Sequence, residues 1–125
     1  MSFALHKYRS ARTTTVSPLQ VLIQLYQGAI RFMRDGADAI EAGDTAKRGV
    51  AFGKAYAIVA ELQATLDDAT APELCAQLHS LYDFVLRQIT QANTKKDADA
   101  ARAAVNVMEE LLSGWSQLEA QRGAA

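Results

Sequence analysis

His79 is the one histidine set in helical sequence, and it is the first place to look for chemistry. A helical bundle that transfers phosphoryl groups needs an exposed histidine with a basic neighbour to hold the phosphate charge. The residues after His79 are Ser-Leu-Tyr-Asp, which bring an acid instead, so His79 reads as an ordinary surface residue. Bundle di-iron centres need Glu-x-x-His pairs that place both ligands on one helical face. Ala76 stands three residues after Glu73 and three before His79, so neither completes such a pair. The lone Cys75 shares a helical side with Tyr82 and Leu86 and reads as packing. There is no Cys-x-x-Cys-His haem signature, glycine-rich phosphate loop or nucleophile–base pair. The expectation is a protein that is not an enzyme, with no catalytic residue, no metal and no cofactor.

The residues that stand out instead are apolar. From Pro18 to Glu41 the chain reads PLQVLIQLYQGAIRFMRDGADAIE. At roughly 100° per residue, Leu19, Leu22, Ile23, Tyr26, Ala29, Ile30, Met33, Ala37 and Ile40 form one stripe. Val21, Leu25, Gly28 and Phe32 form a second stripe beside it. The two cover an arc of roughly 220°, about twice what a helix packed on one core requires. Something must cover the second stripe: a neighbouring helix, a second subunit or a client polypeptide. Gly28 lies within it, and a mid-helix glycine costs ~1 kcal/mol relative to alanine unless another backbone comes close.

The chain has 125 residues, the usual length of one domain, and half of them are apolar. No uncharged apolar run reaches the ~18 residues of a membrane span, and the first residues, MSFALHKYRSARTTT, lack a secretory h-region. A single cysteine excludes an intramolecular disulfide and suits a reducing cytoplasm. The net charge of −1 favours no nucleic acid, but its distribution is uneven. The first 34 residues carry Lys7, Arg9, Arg12, Arg31 and Arg34 and no acid, while the rest hold 8 basic and 14 acidic residues. A basic arm on an acidic body can fold back on it or reach an acidic partner.

Residues 1–16 have no helical period and read as a partly mobile arm. Four helices are expected after it, filling residues 17–121 of a single domain spanning 1–125. Ser17, Pro18 and Gln20 make a capping box with proline in the first turn, opening a helix that runs to about Glu41. Gly43 ends it, and Asp44 caps a helix of about Thr45–Leu66 with core positions Ala51, Ala55, Ile58, Leu62 and Leu66. Thr70 and Glu73 make a second box around Pro72, and that helix buries Leu74, Leu78, Leu81, Tyr82, Val85 and Ile89 before Asn93 stops it. Asp97 caps the last helix, about Ala98–Gln121, with Ala101, Val105, Met108, Leu112 and Trp115 inward. The fold class is therefore all-α, an antiparallel up-down four-helix bundle. Apolar residues also extend sideways on other helices: Phe52, Tyr56 and Val59 on the second, Ala104, Val107, Leu111 and Leu118 on the fourth. Phe84 stands among Gln77, Gln88 and Gln91 as a candidate contact.

These patterns resemble the flagellar export chaperone family FliS. The matching residues are Ser17-Pro18, Leu22-Ile23 and Leu25-Tyr26-x-Gly28-Ala29-Ile30. They continue in order with Gly43-Asp44, Lys54-Ala55, Ile58-Val59, Leu62, Leu66-Asp67, Leu81-Tyr82-Asp83, Ala92-Asn93, Asp97 and Trp115. Leu5 and Tyr8 are similar to the family's N-terminal motif, and Gln27 is a departure that leaves the fold untouched. The resemblance covers about residues 3–118. It implies a cytoplasmic chaperone that binds the disordered C-terminal segment of flagellin, prevents premature polymerisation, and docks on the cytoplasmic domain of the export gate component FlhA. Flagellin would lie in apolar grooves drawn from Val21, Leu25, Gly28, Phe32, Phe52, Tyr56, Val59, Val107, Leu111 and Leu118. Leu5 and Tyr8 would cover the groove and then dock on the gate. An amphipathic segment laid into an apolar groove is a standard recognition mode. The alternatives are a homo-oligomeric bundle or weak homodimer that buries the second stripe against its own copy, and a regulatory adaptor for another flagellar protein. Neither reading involves direct membrane insertion.

Overall fold

The computed structural model describes residues 17–124, which form four α-helices. They are α1 (Pro18–Ala42), α2 (Thr45–Ala64), α3 (Pro72–Lys95) and α4 (Ala98–Ala124). Among the described residues there is no strand, and no helix is long and apolar enough to cross a membrane. The expected arm, residues 1–16, lies outside the described residues.

Local sequence sets most of the helix ends. Ser17 takes an extended backbone and accepts from the Gln20 N–H at 3.1 Å, while the Gln20 side chain accepts from the Ser17 N–H at 3.1 Å. Pro18 supplies a preset φ at a position where no N–H is needed. Gly43 stops α1 in the left-handed region, φ 71°, and its N–H reaches back to Ala39 and Ile40 carbonyls. Asp44 caps α2 through the Lys47 N–H at 3.0 Å, and Asp97 caps α4 through the Ala100 N–H at 3.1 Å. The start of α3 differs from the expected Thr70–Glu73 box. Its N-cap is Ala71, which makes no side-chain cap, because Thr70 turns back to Asp67, its hydroxyl donating at 2.5 Å. Pro72 holds the preceding Ala71 out of the helical region, at φ −144° and ψ 72°. The end of α3 also runs past Asn93 to Lys95, with Lys96 as the left-handed cap at φ 54°.

Consecutive helices pack antiparallel, and α1 also packs along α4, closing a four-helix arrangement around one core. Of the two diagonal pairs only α1 and α3 touch, so α1 meets all three other helices. Those neighbours account for the apolar excess of α1. Its neighbours cover much of the second stripe: Val21 is 1% and Leu25 7% exposed. Tyr26, Ala29 and Met33 are fully buried between the two stripes. The exposure lost there reappears at Leu19, Leu22, Ile23, Ala37 and Ile40, expected in the core but only half-buried.

Phe52 and Val59 on α2, expected as groove residues, are also core, 1% and 0% exposed. Gly36 is the reason for Phe52. A Cβ built on Gly36 would lie 2.5 Å from two carbons of the Phe52 ring, so the missing side chain is the socket that takes the ring. Buried Tyr26 and Tyr82 share a hydroxyl–hydroxyl hydrogen bond at the centre of the core. Burial pushes both phenols above their ordinary value, Tyr82 most strongly.

Two exposed ion pairs, Arg34–Glu109 and Arg102–Glu41, run along the α1–α4 seam. Exposed pairs of this kind contribute little to stability. Their use here is geometric: they fix which side of α4 faces α1.

Candidate binding surface

A strip of exposed apolar residues follows from how α3 and α4 are oriented. The α2-facing side of α3 is marked by Gln63, whose amide donates to Asp83 at 2.7 Å and to the His79 carbonyl at 3.3 Å, and by Arg48, which donates to Asn93 at 3.3 Å. Leu74, Leu81 and Phe84 lie on the opposite flank of α3 at helical spacing. On α4, Glu109 and Arg102 mark the side toward α1, and Val107, Leu111 and Leu118 lie opposite. The two apolar flanks therefore meet along the α3–α4 seam. Leu74 is 49% exposed, Leu81 37% and Leu118 48%. Phe84, Val107 and Leu111 are half-buried, resting on the core beneath. The rim is glutamine-rich rather than charged, with Gln77 and Gln88 along α3 and Gln117 along α4.

At the end of the bundle where α3 starts and α4 finishes lies an apolar cavity of about 360 Å³, lined by none of these strip residues. The start of α1, the end of α2, the start of α3 and the end of α4 converge there. Half-buried Leu19, Leu22, Leu66 and Trp115 line it together with the core residues Leu25, Leu62, Leu78 and Tyr82. Glu61 and Asp67 add carboxylates. The Thr70 hydroxyl holds the Asp67 carboxyl below its ordinary range. Trp115 meets Tyr26 edge-on, with centroids 6.4 Å apart. Its indole N–H lies close enough to favour ionised Tyr26, yet has no hydrogen-bond partner among the described residues. A buried donor left unmade costs ~1–3 kcal/mol.

The sequence-derived groove residues thus separate into three groups. Val107, Leu111 and Leu118 lie together on the α3–α4 strip, and Leu25 lines the end cavity. Gly28 and Phe32 sit half-buried on the α1–α2 seam, Gly28 beside Ile58 and Phe32 under Lys54, whose Nζ is 5.4 Å from the ring centroid. Val21, Phe52 and Val59 are core and present nothing to a partner in this conformation. Tyr56 is 44% exposed but stands apart, in a polar depression between α2 and α3. Leu5 and Tyr8 lie outside the described residues.

Sequence reasoning placed Leu74 and Leu81 in the core, and a signal against that was present. Leu74, Leu81, Gln88 and Lys95 form one row at seven-residue spacing, and its polar half marks it as a flank. Cys75, Leu78, Tyr82, Val85, Ile89 and Ala92 already make a complete inward stripe. Cys75 is buried, its thiol pushed up by desolvation and by Asp68 and Asp67, which makes it inert packing as expected. His79 pairs with Asp68 at 3.0 Å on the surface. Among the described residues no cluster of His, Cys, Asp and Glu could hold a metal ion.

The sequence matches the profile of the family described as "Flagellar protein FliS" over residues 1–122. The chain belongs to the FliS family. It is 31% identical to the flagellar secretion chaperone FliS of Vibrio cholerae over 108 residues, covering 86% of this chain and 79% of that protein. The FliS chaperone of Bacillus subtilis is 30% identical over 110 residues, 88% of this chain and 81% of its own length. That of Salmonella typhimurium is 30% identical over 105 residues, 83% and 78% respectively. A crystal structure of a bacterial flagellar chaperone superposes with a TM-score of 0.77 at 18% identity, covering 94% of this chain and 98% of that one, which is a likeness of fold. FliS relatives are named as chaperones, a non-enzymatic class, as the empty inventory of catalytic groups led one to expect.

Proposed function

We propose that this FliS-family chain is a cytoplasmic export chaperone for flagellin. It holds the disordered C-terminal segment of flagellin, keeps the subunit from polymerising, and presents it to the cytoplasmic domain of the export gate component FlhA. The observation that carries this reading is the apolar strip of Leu74, Leu81, Phe84, Val107, Leu111 and Leu118, with an apolar cavity at the same end of the bundle as Leu74 and Leu118. A monomer rarely leaves large aliphatic side chains together on one face without a partner for them.

The strip runs along two antiparallel helices, so its occupant is elongated and amphipathic, with apolar residues recurring at helical spacing. The cavity has room for one large apolar side chain, with Trp115 as part of its wall. A segment that folds as it binds spends part of its interaction energy on ordering, which calls for a long contact such as this one. Gly28 and Phe32 would extend the wrapped path onto the α1–α2 seam. Leu5 and Tyr8, three residues apart, would share one face of a helical turn. That arm is tethered at Ser17, beside Pro18 and Leu19 of the cavity lining. It would shield the cavity in the free protein and be released to the gate when flagellin binds.

Calorimetric titration of the flagellin C-terminal segment tests the reading. Leu81→Asp with Leu111→Asp should keep the helical circular dichroism and weaken binding by roughly a hundredfold, the loss of ~2–3 kcal/mol expected from removing two apolar contacts. Unchanged affinity in a folded double variant would remove the strip from the site. Sedimentation of the free protein checks the alternative: a stable dimer that leaves flagellin unbound would assign the strip to a second copy.

A further inference from the structure

A second groove flanks α3 on the side away from the apolar strip, and its chemistry is of the opposite kind. Between α2 and α3 the surface sinks into a depression of about 490 Å³ lined by Tyr56, Leu86, Arg87, Thr90, Gln91, Thr94 and Lys95, with Asp83 at its edge. Arg48 stands next to it, held by Asn93 at 3.3 Å.

The depression carries two cations, Arg87 and Lys95, against one lining carboxylate. Asp83 is its one carboxylate, and that group already accepts from Gln63 at 2.7 Å. Thr90 and Thr94 turn their hydroxyl protons inward, to the Leu86 and Thr90 carbonyls. The Gln91 amide donates to Asp97. Arg87 and Lys95 are exposed and make no ion pair among the described residues. Residues 1–16 contain no aspartate or glutamate, so their side chains cannot neutralise these cations either. Over residues 17–124 as a whole acids predominate, 14 against 10 basic residues. Arg87 and Lys95, beside an exposed tyrosine, therefore run against the charge of the body; Asp97, whose carboxyl is held down chiefly by the Ala100 N–H, is a further acid near enough to feel Lys95.

We propose that this α2–α3 depression is a second docking surface, which takes an acidic segment of a partner protein. The carboxylates would pair with Arg87 and Lys95, and an apolar side chain between them would rest on the Tyr56 ring and Leu86. Charge excludes the chain's own basic arm as the occupant. The depression opens toward α2 and the apolar strip toward α4; Lys95 continues the Leu74–Leu81 row but lies well beyond Leu81, at the C-terminal end of α3, so both surfaces can be filled at once. A chaperone loaded on one face would then remain readable on the other. The surface stands whether or not the strip proves to hold flagellin, because it shares no residue with it.

The test uses the full chain and a fluorescent, end-blocked peptide of glutamate, aspartate and leucine, followed by anisotropy. Binding should weaken as salt rises and fall by roughly tenfold or more in Arg87→Glu with Lys95→Glu. It should persist when Lys7, Arg9 and Arg12 are replaced by serine, and when the strip carries Leu81→Asp with Leu111→Asp. Both depression side chains are exposed, so the charge-reversed variant should keep its native helical spectrum. Equal binding by that variant overturns the proposal, as does loss of binding with the arm cations alone. A single-stranded oligonucleotide of matched charge that binds as tightly and responds to the same substitutions would make the partner a nucleic acid and overturn it too. So would dimerisation of the chain through this face in sedimentation.

Discussion

Replacing Gly36 with alanine should destabilise the protein, whereas the same replacement at Gly28 should stabilise it. Both glycines lie inside α1, so each substitution gains the same helix propensity, ~1 kcal/mol. The difference is what the new methyl group meets. At Gly28 its nearest neighbour is Ile58 Cδ1 at 3.8 Å, ordinary van der Waals contact. At Gly36 it would fall 2.5, 2.5 and 2.8 Å from three carbons of the Phe52 ring. Phe52 is 1% exposed and belongs to the core cluster, so the ring cannot swing away without opening a void or moving α2. Overpacking of this kind costs ~1–3 kcal/mol and occasionally more, which outweighs the propensity gain. Gly28→Ala should therefore gain about 0.5–1 kcal/mol, and Gly36→Ala should lose up to about 2 kcal/mol net. Urea unfolding followed by far-ultraviolet circular dichroism reads both, provided the slopes of the two transitions agree. A Gly36→Ala protein as stable as the parent would refute the socket argument. It would also reopen the assignment of Phe52 to the core.

Further outcomes follow from the core and the arm. Tyr26 and Tyr82 have raised phenol pKa values in the fold, so their contribution is intact below the unfolded tyrosine value of ~10. It declines as pH rises above that, by up to ~1.4 kcal/mol per pH unit for each group. Alkaline unfolding should therefore begin near pH ~10 and be blunted in the double Tyr→Phe variant; a parent protein unmoved by alkali would contradict the buried pair. Trp115→Ala should cost about 2–3 kcal/mol, less than the ~3–5 kcal/mol of a fully buried indole, because the ring is half-buried. Leu5→Ala with Tyr8→Ala should preserve or slightly strengthen flagellin binding while weakening capture by the FlhA cytoplasmic domain. Lost flagellin binding with normal gate capture would reverse the role of the arm.

The bundle was legible because its punctuation is local. Ser17, Pro18, Gly43, Asp44 and Asp97 each act on their own turn of chain, and all five do in the structure what their residue types dictate. Thr70 misled because two local partners competed for it, and the Asp67 turn won over the helix cap. Which stripe faces inward is not a local property. Val21 and Leu25 are core because α2, α3 and α4 all touch α1, and no wheel of α1 alone contains those neighbours. Phe52 is core because of a glycine on a different helix. On α4 the sequence sets Val107, Leu111 and Leu118 beside the core stripe, and the structure leaves them half-buried or exposed, because apolar residues there outnumber core positions. The exposure of Leu74 and Leu81 on α3 was not legible, because they have the same spacing as the core row and only Gln88 and Lys95, farther along, distinguish them.

The central claim is that the client lies on the α3–α4 strip and enters the end cavity. Methyl nuclear magnetic resonance of the leucine, isoleucine and valine side chains tests it directly, with the flagellin C-terminal segment titrated into the labelled protein. The account predicts large shifts at Leu74, Leu81, Val107, Leu111 and Leu118, with Leu22 and Leu66 following at the cavity. The methyl groups of Ile40, on the ion-paired side of α1, should stay in place. Shifts concentrated on the α1 side, with the α3–α4 leucines silent, would contradict it.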